Sequence, residues 1–197
     1  MQTQEKVALA HDKMNALNAA DPNSYDTPSG PLPRELWMAQ RLEHWVHQVA
    51  SPPSTALLLA ARCQHLMRWR VPRSDYDQGR IGYLKWRKDL AKMHADAATD
   101  VLRGVGFDQD TIDQVREINL KQNLKTNPDV QAMEDALCLC FLEQEYAAFA
   151  EKHENQKVVE IVQKTWRKMS PVGQKLALEL PLSGRPAQLV RTALAGH

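Results

Sequence analysis

The sequence predicts an all-α fold, one helical bundle of about seven or eight helices. Apolar residues return every three or four positions along almost the whole chain, as in Leu36, Met38, Leu42, Trp45 and Val49. No stretch alternates apolar and polar residues for long with the period of two that a half-buried strand needs. A cap followed by proline, the signature of a helix start, occurs at Asn127-Pro128 and again at Ser170-Pro171.

Taken in order, residues 2–19 read as a short amphipathic helix. "ADPNSYDTPSGPLP", residues 20–33, holds four prolines and one glycine and reads as a loop or arm. A helix over 34–50 stops at Pro52-Pro53. Ser54 or Thr55 caps the next, "ALLLAARCQHLMRW", which is apolar on most sides and therefore central. "RVPRSDYDQGR" is a loop, and the long helix after it ends at Gly104 and Gly106. Further helices are expected from about residue 111 to 122, from Pro128 to His153, over 156–169, from Pro171 to about Leu180, and over 186–195. The division that follows is residues 1–34 as N-terminal helix and arm, 35–180 as core, and 181–197 as C-terminal tail.

The chain has 197 residues and a net charge of +1, which excludes general attraction to nucleic acid. No apolar run approaches the roughly 20 residues that cross a bilayer, and the start lacks a secretory pattern, so neither a membrane nor export is expected. Cys63, Cys138 and Cys140 lie in apolar helical stretches and read as buried free thiols. A cytoplasmic location follows from these readings.

Chemistry at neutral pH concentrates on histidine. His11, His153 and His197 lie in polar or terminal surroundings and read as solvated. His65 falls on the inward stripe Leu58, Ala61, His65, Arg68, and His94 on the stripe Tyr83, Arg87, Leu90, His94, Ala97, Val101. Asp135 lies at inward spacing among Val130, Met133, Leu137 and Phe141, with Glu134 beside it. Two imidazoles and a carboxylate suit one divalent transition ion, so His65, His94 and Asp135 are expected to converge on a single Mn, Fe, Ni or Zn. Glu134 is the candidate fourth ligand or general base.

Arginine and lysine crowd residues 62–92 on both sides of the loop joining the two histidine helices. A guanidinium presents a rigid donor fork to phosphate, so Arg68, Arg73, Arg80 and Arg87 are the candidate phosphate binders for a small phosphorylated ligand. Trp69 and Tyr83 are read as closing the core.

"AARCQH", the later His94-Ala95 and then Glu134-Asp135-Ala136 resemble, as a helix order over residues 35–145, the HD-domain superfamily of metal-dependent phosphohydrolases. That family has His-Asp where this chain has Gln64-His65. The resemblance implies an HD-like bundle, a metal-bound water attacking a phosphoester, and His44 or its neighbour His47 as a further ligand on the preceding helix. Over nearly the whole chain, "RCQHLMRWRVPR", "GYLKWRKDLAKMHA" and "LKTNPDVQAMEDALCLCFLE" resemble an uncharacterised family of bacterial and fungal proteins. That resemblance implies no activity.

Overall fold

The computed structural model describes residues 2–195, so His197 lies outside the described residues. Among those residues are ten α-helices and one short hairpin. α1 (Thr3–Asn18) opens with the Gln2 amide donating to Glu5 Oε2 at 2.8 Å. The arm expected to be irregular forms β1 (Ser24–Thr27) and β2 (Gly30–Pro33), antiparallel with Thr27 opposite Gly30. Two four-residue strands are too short to give a readable alternation, and Gly30, at φ 109°, turns the chain where a side chain would be strained. Asp21 ties this hairpin to the body: Oδ1 accepts from the Asn23 amide at 2.9 Å and Oδ2 from the Glu35 amide at 3.0 Å.

α2 (Arg34–Val49) packs on α3 (Thr55–Cys63) and on α6 (Pro128–Gln144). α3 is the central helix: Ser54 caps it at the Leu57 amide, and six of its nine residues are buried. It is shorter than expected, because the chain turns out of the helix after Cys63 and Met67 adopts a left-handed φ of 54°. α4 (Gly79–Val105) ends at Gly106 with φ 89° and packs on α1 and α5 (Gln109–Asn119). The helix expected to run to His153 breaks at Glu145, φ −120°, into α6 and α7 (Tyr146–Glu151). α8 (Asn155–Trp166), α9 (Pro171–Leu178) and α10 (Gly184–Leu194) complete the chain, α8 against α10 and α9 against α6.

One apolar cluster runs from Ala10 and Met14 through Leu57, Leu102, Ile118 and Leu139 to Ala193. Cys63, Cys138 and Cys140 are buried free thiols within it, and burial pushes each up to about 12. Tyr83, expected in the core, is exposed near the start of α4, while Trp69 is half-buried. No described helix is long and apolar enough to cross a membrane.

Candidate functional site

The early end of α3 creates the site. The turn after Cys63 brings Gln64, His65 and Arg68 to one wall of a cavity of about 230 Å³. α4 supplies Arg87, Lys88 and His94, and the end of α5 supplies Asn119 with Lys121 just beyond it. The two imidazoles meet edge to face, ring centroids 6.3 Å apart.

His94 is fixed from behind. Its Nδ1 lies 2.8 Å from the Leu66 carbonyl, which can only accept, so Nδ1 carries the proton and Nε2 keeps a lone pair. That Nε2 is buried without a partner, as are Gln64 Oε1 and Asn119 Oδ1. Asn119 spends its amide on Cys63 Sγ at 3.2 Å, which leaves the carbonyl oxygen free.

Burial pushes His65 well below its ordinary value, and Arg68, His94 and Arg87 push it further. Burial also takes His94 down to about 4, against the Leu66 carbonyl, which raises it. Both rings are therefore neutral at pH 7. Arg68 lies over the Trp86 ring, 4.8 Å from its centroid. Among the described residues Arg87 and Lys88 are exposed and make no ion pair.

Behind His65 stands Glu35, 3 % exposed, its Oε1 on the Arg34 guanidinium and its Oε2 3.8 Å from His65 Nδ1. Burial raises its carboxyl, against the lowering by Arg34 and Arg68. Arg34 in turn also grips Glu145. Glu35 and Arg68 both border a second hollow of about 400 Å³, whose floor includes Trp69, Pro72 and Trp86.

Of the residues expected to converge, the structure brings His65, His94, Arg68 and Arg87 together and places the others elsewhere. Asp135 is buried, but it accepts from the Ser170 amide at 2.8 Å, from the Ser170 hydroxyl and from Gln131 Nε2 at 2.9 Å. Glu134 is held by Lys121 and Lys168. Burial raises its carboxyl, but the two ammonium groups outweigh this and leave it lowered. His44 and His47 are exposed on α2, His44 edge-on to Trp45 at 5.3 Å and bordering a different hollow with Leu180 and Pro181. Arg73 donates to its own loop, to the Tyr76 and Asp77 carbonyls at 2.8 and 2.7 Å. Arg80 is exposed and borders neither hollow. His11, expected in solvent, is instead largely buried beside Glu43 at 3.6 Å, and burial lowers it.

Sequence reasoning missed Glu35, Gln64 and Asn119 as wall residues. Glu35 had a readable signal, since it stands three and seven residues before Met38 and Leu42 on the buried stripe of α2. Gln64 and Asn119 carry no such signal: each acquires its role only from the fold around it. Among the described residues no three His, Cys, Asp or Glu side chains are grouped so as to hold a metal ion.

Fold and site together define an all-helical protein with a basic, partly buried cleft that holds two neutral imidazoles and unpaired acceptors. The chain belongs to a family described as a domain of unknown function, DUF4202, which matches residues 8–190. No curated protein and no solved structure matches it.

Proposed function

We propose that the protein binds a small phosphorylated molecule, a nucleotide or another phosphoester, in the His65–His94 cleft and cleaves its phosphoester. The observation that carries this reading is the composition of the cavity wall. Arg68, Arg87 and Lys88 supply positive charge, while Gln64 Oε1, His94 Nε2 and Asn119 Oδ1 are acceptors without donors. Unpaired buried acceptors are costly, and a ligand carrying hydroxyl or amino groups satisfies them. Cations without acidic partners are satisfied by phosphate. A ligand with both features, phosphate on one end and donors on the other, fits the wall better than a bare anion. Calorimetric titration tests this: glycerol 3-phosphate binds more tightly than inorganic phosphate, and equal affinities contradict it. Binding without release of inorganic phosphate from any phosphoester would make the protein a binding module rather than an enzyme.

A second reading adds one divalent ion (Mn, Fe, Ni or Zn) on His65 and His94, as a Lewis acid for the phosphoester. It is favoured by His94, whose Nδ1 bond to a backbone carbonyl is the arrangement that orients metal-binding imidazoles. Phosphate oxygens of the ligand would have to complete such a site. Equilibrium dialysis against Mn, Ni and Zn with and without glycerol 3-phosphate tests it. Ion uptake that needs the phosphate supports this reading, and no uptake in either case removes it.

A further inference from the structure

The phosphate-binding reading gives no task to one oxygen of the Glu35 carboxylate, whose other oxygen is held by Arg34. Glu35 Oε2 has no hydrogen-bond partner, although the residue is 3 % exposed. His65 Nδ1 lies 3.8 Å from that oxygen, longer than a hydrogen bond but within reach of a small side-chain shift. Such bonds are often long in a ligand-free site and tighten when the ligand arrives.

His65 lines the cleft, whereas Glu35 borders the outer hollow. The two nitrogens of an imidazole point in diverging directions. With Nδ1 turned to Glu35, Nε2 is the nitrogen that meets the cleft, and solvent reaches the ring, which is 22 % exposed. A carboxylate behind Nδ1 holds the ring proton there and leaves the lone pair at Nε2.

We infer that His65 Nε2 is a phosphoryl-accepting nucleophile, that Glu35 is the residue positioning it, and that the phosphoester is cleaved through a phosphohistidine. The inference rests on the reading of the cleft as a phosphate site. In the first step the Nε2 lone pair bonds to phosphorus and the P–O bond to the leaving group breaks. The electron pair of that bond stays on the leaving oxygen, which takes a proton from water where it needs one. Nδ1 keeps its proton, and the positive charge the ring acquires faces the Glu35 carboxylate. Arg68 and Arg87, both close enough to act on His65, face the charge on the phosphoryl oxygens. In the second step water attacks phosphorus, its proton passes to His94 Nε2, and the N–P electron pair returns to the His65 ring. His94 suits that task because its Nε2 lone pair has no other partner and its ring lies 6.3 Å from His65.

The test uses acetyl phosphate, whose leaving acetate needs no proton, with the full-length protein and mass spectrometry of its peptides. The expected result is one phosphoryl group on the peptide containing His65, lost in acid and kept in alkali. His65→Ala abolishes it, and His94→Asn prolongs its lifetime. Glu35→Gln slows its formation by about 100-fold, the scale of a lost acid–base partner, and Glu35→Asp restores part of the rate. Nitrogen-15 NMR of the His65 ring separates positioning from general destabilisation. The wild-type ring carries its proton at Nδ1, and Glu35→Asp, the milder variant, keeps that tautomer. A wild-type ring protonated at Nε2 overturns the role of Glu35. No adduct at His65 from acetyl phosphate, while inorganic phosphate still binds, overturns this inference and leaves the phosphate reading standing. Neither adduct nor phosphate binding overturns both. An adduct on His94 instead of His65 overturns the assignment of the nucleophile.

Discussion

Two buried polar clusters in this molecule differ in how fully they are satisfied. At Asp135, the carboxylate is filled from within the protein: the Ser170 amide and hydroxyl both donate to it, and Gln131 closes the remaining side. In the His65–His94 cleft, three buried acceptors and two exposed cations find nothing. His94 and Asp135 are alike in burial and in inward spacing. What separates a structural carboxylate from a binding wall is the bonding left over after folding. The adjacent Glu134 belongs with Asp135 in this respect, since Lys121 and Lys168 neutralise it.

If that distinction holds, the largest effect belongs to the satisfied cluster. Asp135→Ala strands the Ser170 amide and takes away the acceptor that orients the Ser170 hydroxyl, the cap of α9, and a loss of about 3 kcal/mol is expected, lowering Tm by roughly 6–12 °C. Thermal melts read it, and phosphate affinity should not change. A loss below about 1 kcal/mol would mean that the cluster is not closed as described.

The next effect follows from the neutral imidazoles. His65 and His94 have lowered values in the folded protein, so between their unfolded value near 6.5 and the folded value, about 4 for His94, the unfolded chain holds the extra proton. Stability is therefore full above pH 6.5 and falls as pH drops through that window. Glu35, raised on folding, acts in the opposite sense just above its unfolded value near 4.5, so the fall is steepest in the upper part of the window. His94→Gln should flatten the dependence of Tm on pH between 6.5 and 5, and an unchanged slope would contradict the neutral assignment.

A smaller effect sharpens the boundary between the clusters. Glu134→Gln releases Lys121, which lines the cleft, from its ion pair. Stability should fall by about 1–2 kcal/mol while phosphate binds a few-fold more tightly. Weaker phosphate binding would place Glu134 in the site rather than behind it.

These contrasts also mark how much was legible in the sequence. Helix starts were readable where caps are local: Ser54, Asn127 and Ser170 each accept from an amide two or three residues on. The pairing of His65 with His94 was readable from two inward stripes joined by one loop. The destination of Asp135 was not, because a stripe says that a side chain points inward but not toward which neighbour. Its partner, Ser170, lies 35 residues further along the chain. The wall residues Gln64 and Asn119 depend on the turn after Cys63 and on the docking of α5, neither of which has a periodic signature. The arginines divided for the same reason. Arg73 is consumed by carbonyls of its own loop, while Arg87, two turns before His94 on α4, faces the cleft.

The central claim is that the cleft, and not basic charge in general, holds phosphate. Two exposed arginines of the same helix test it most directly, because Arg87 lines the cavity and Arg80 does not. Calorimetric titration of inorganic phosphate into the wild type, Arg87→Ala and Arg80→Ala at fixed ionic strength makes the comparison. The account predicts that Arg87→Ala weakens binding about tenfold, the loss of one charge-assisted pair, while Arg80→Ala binds as the wild type does and both melt within about 0.5 kcal/mol of it. Equal losses in the two variants, or no phosphate binding by the wild type, would contradict it.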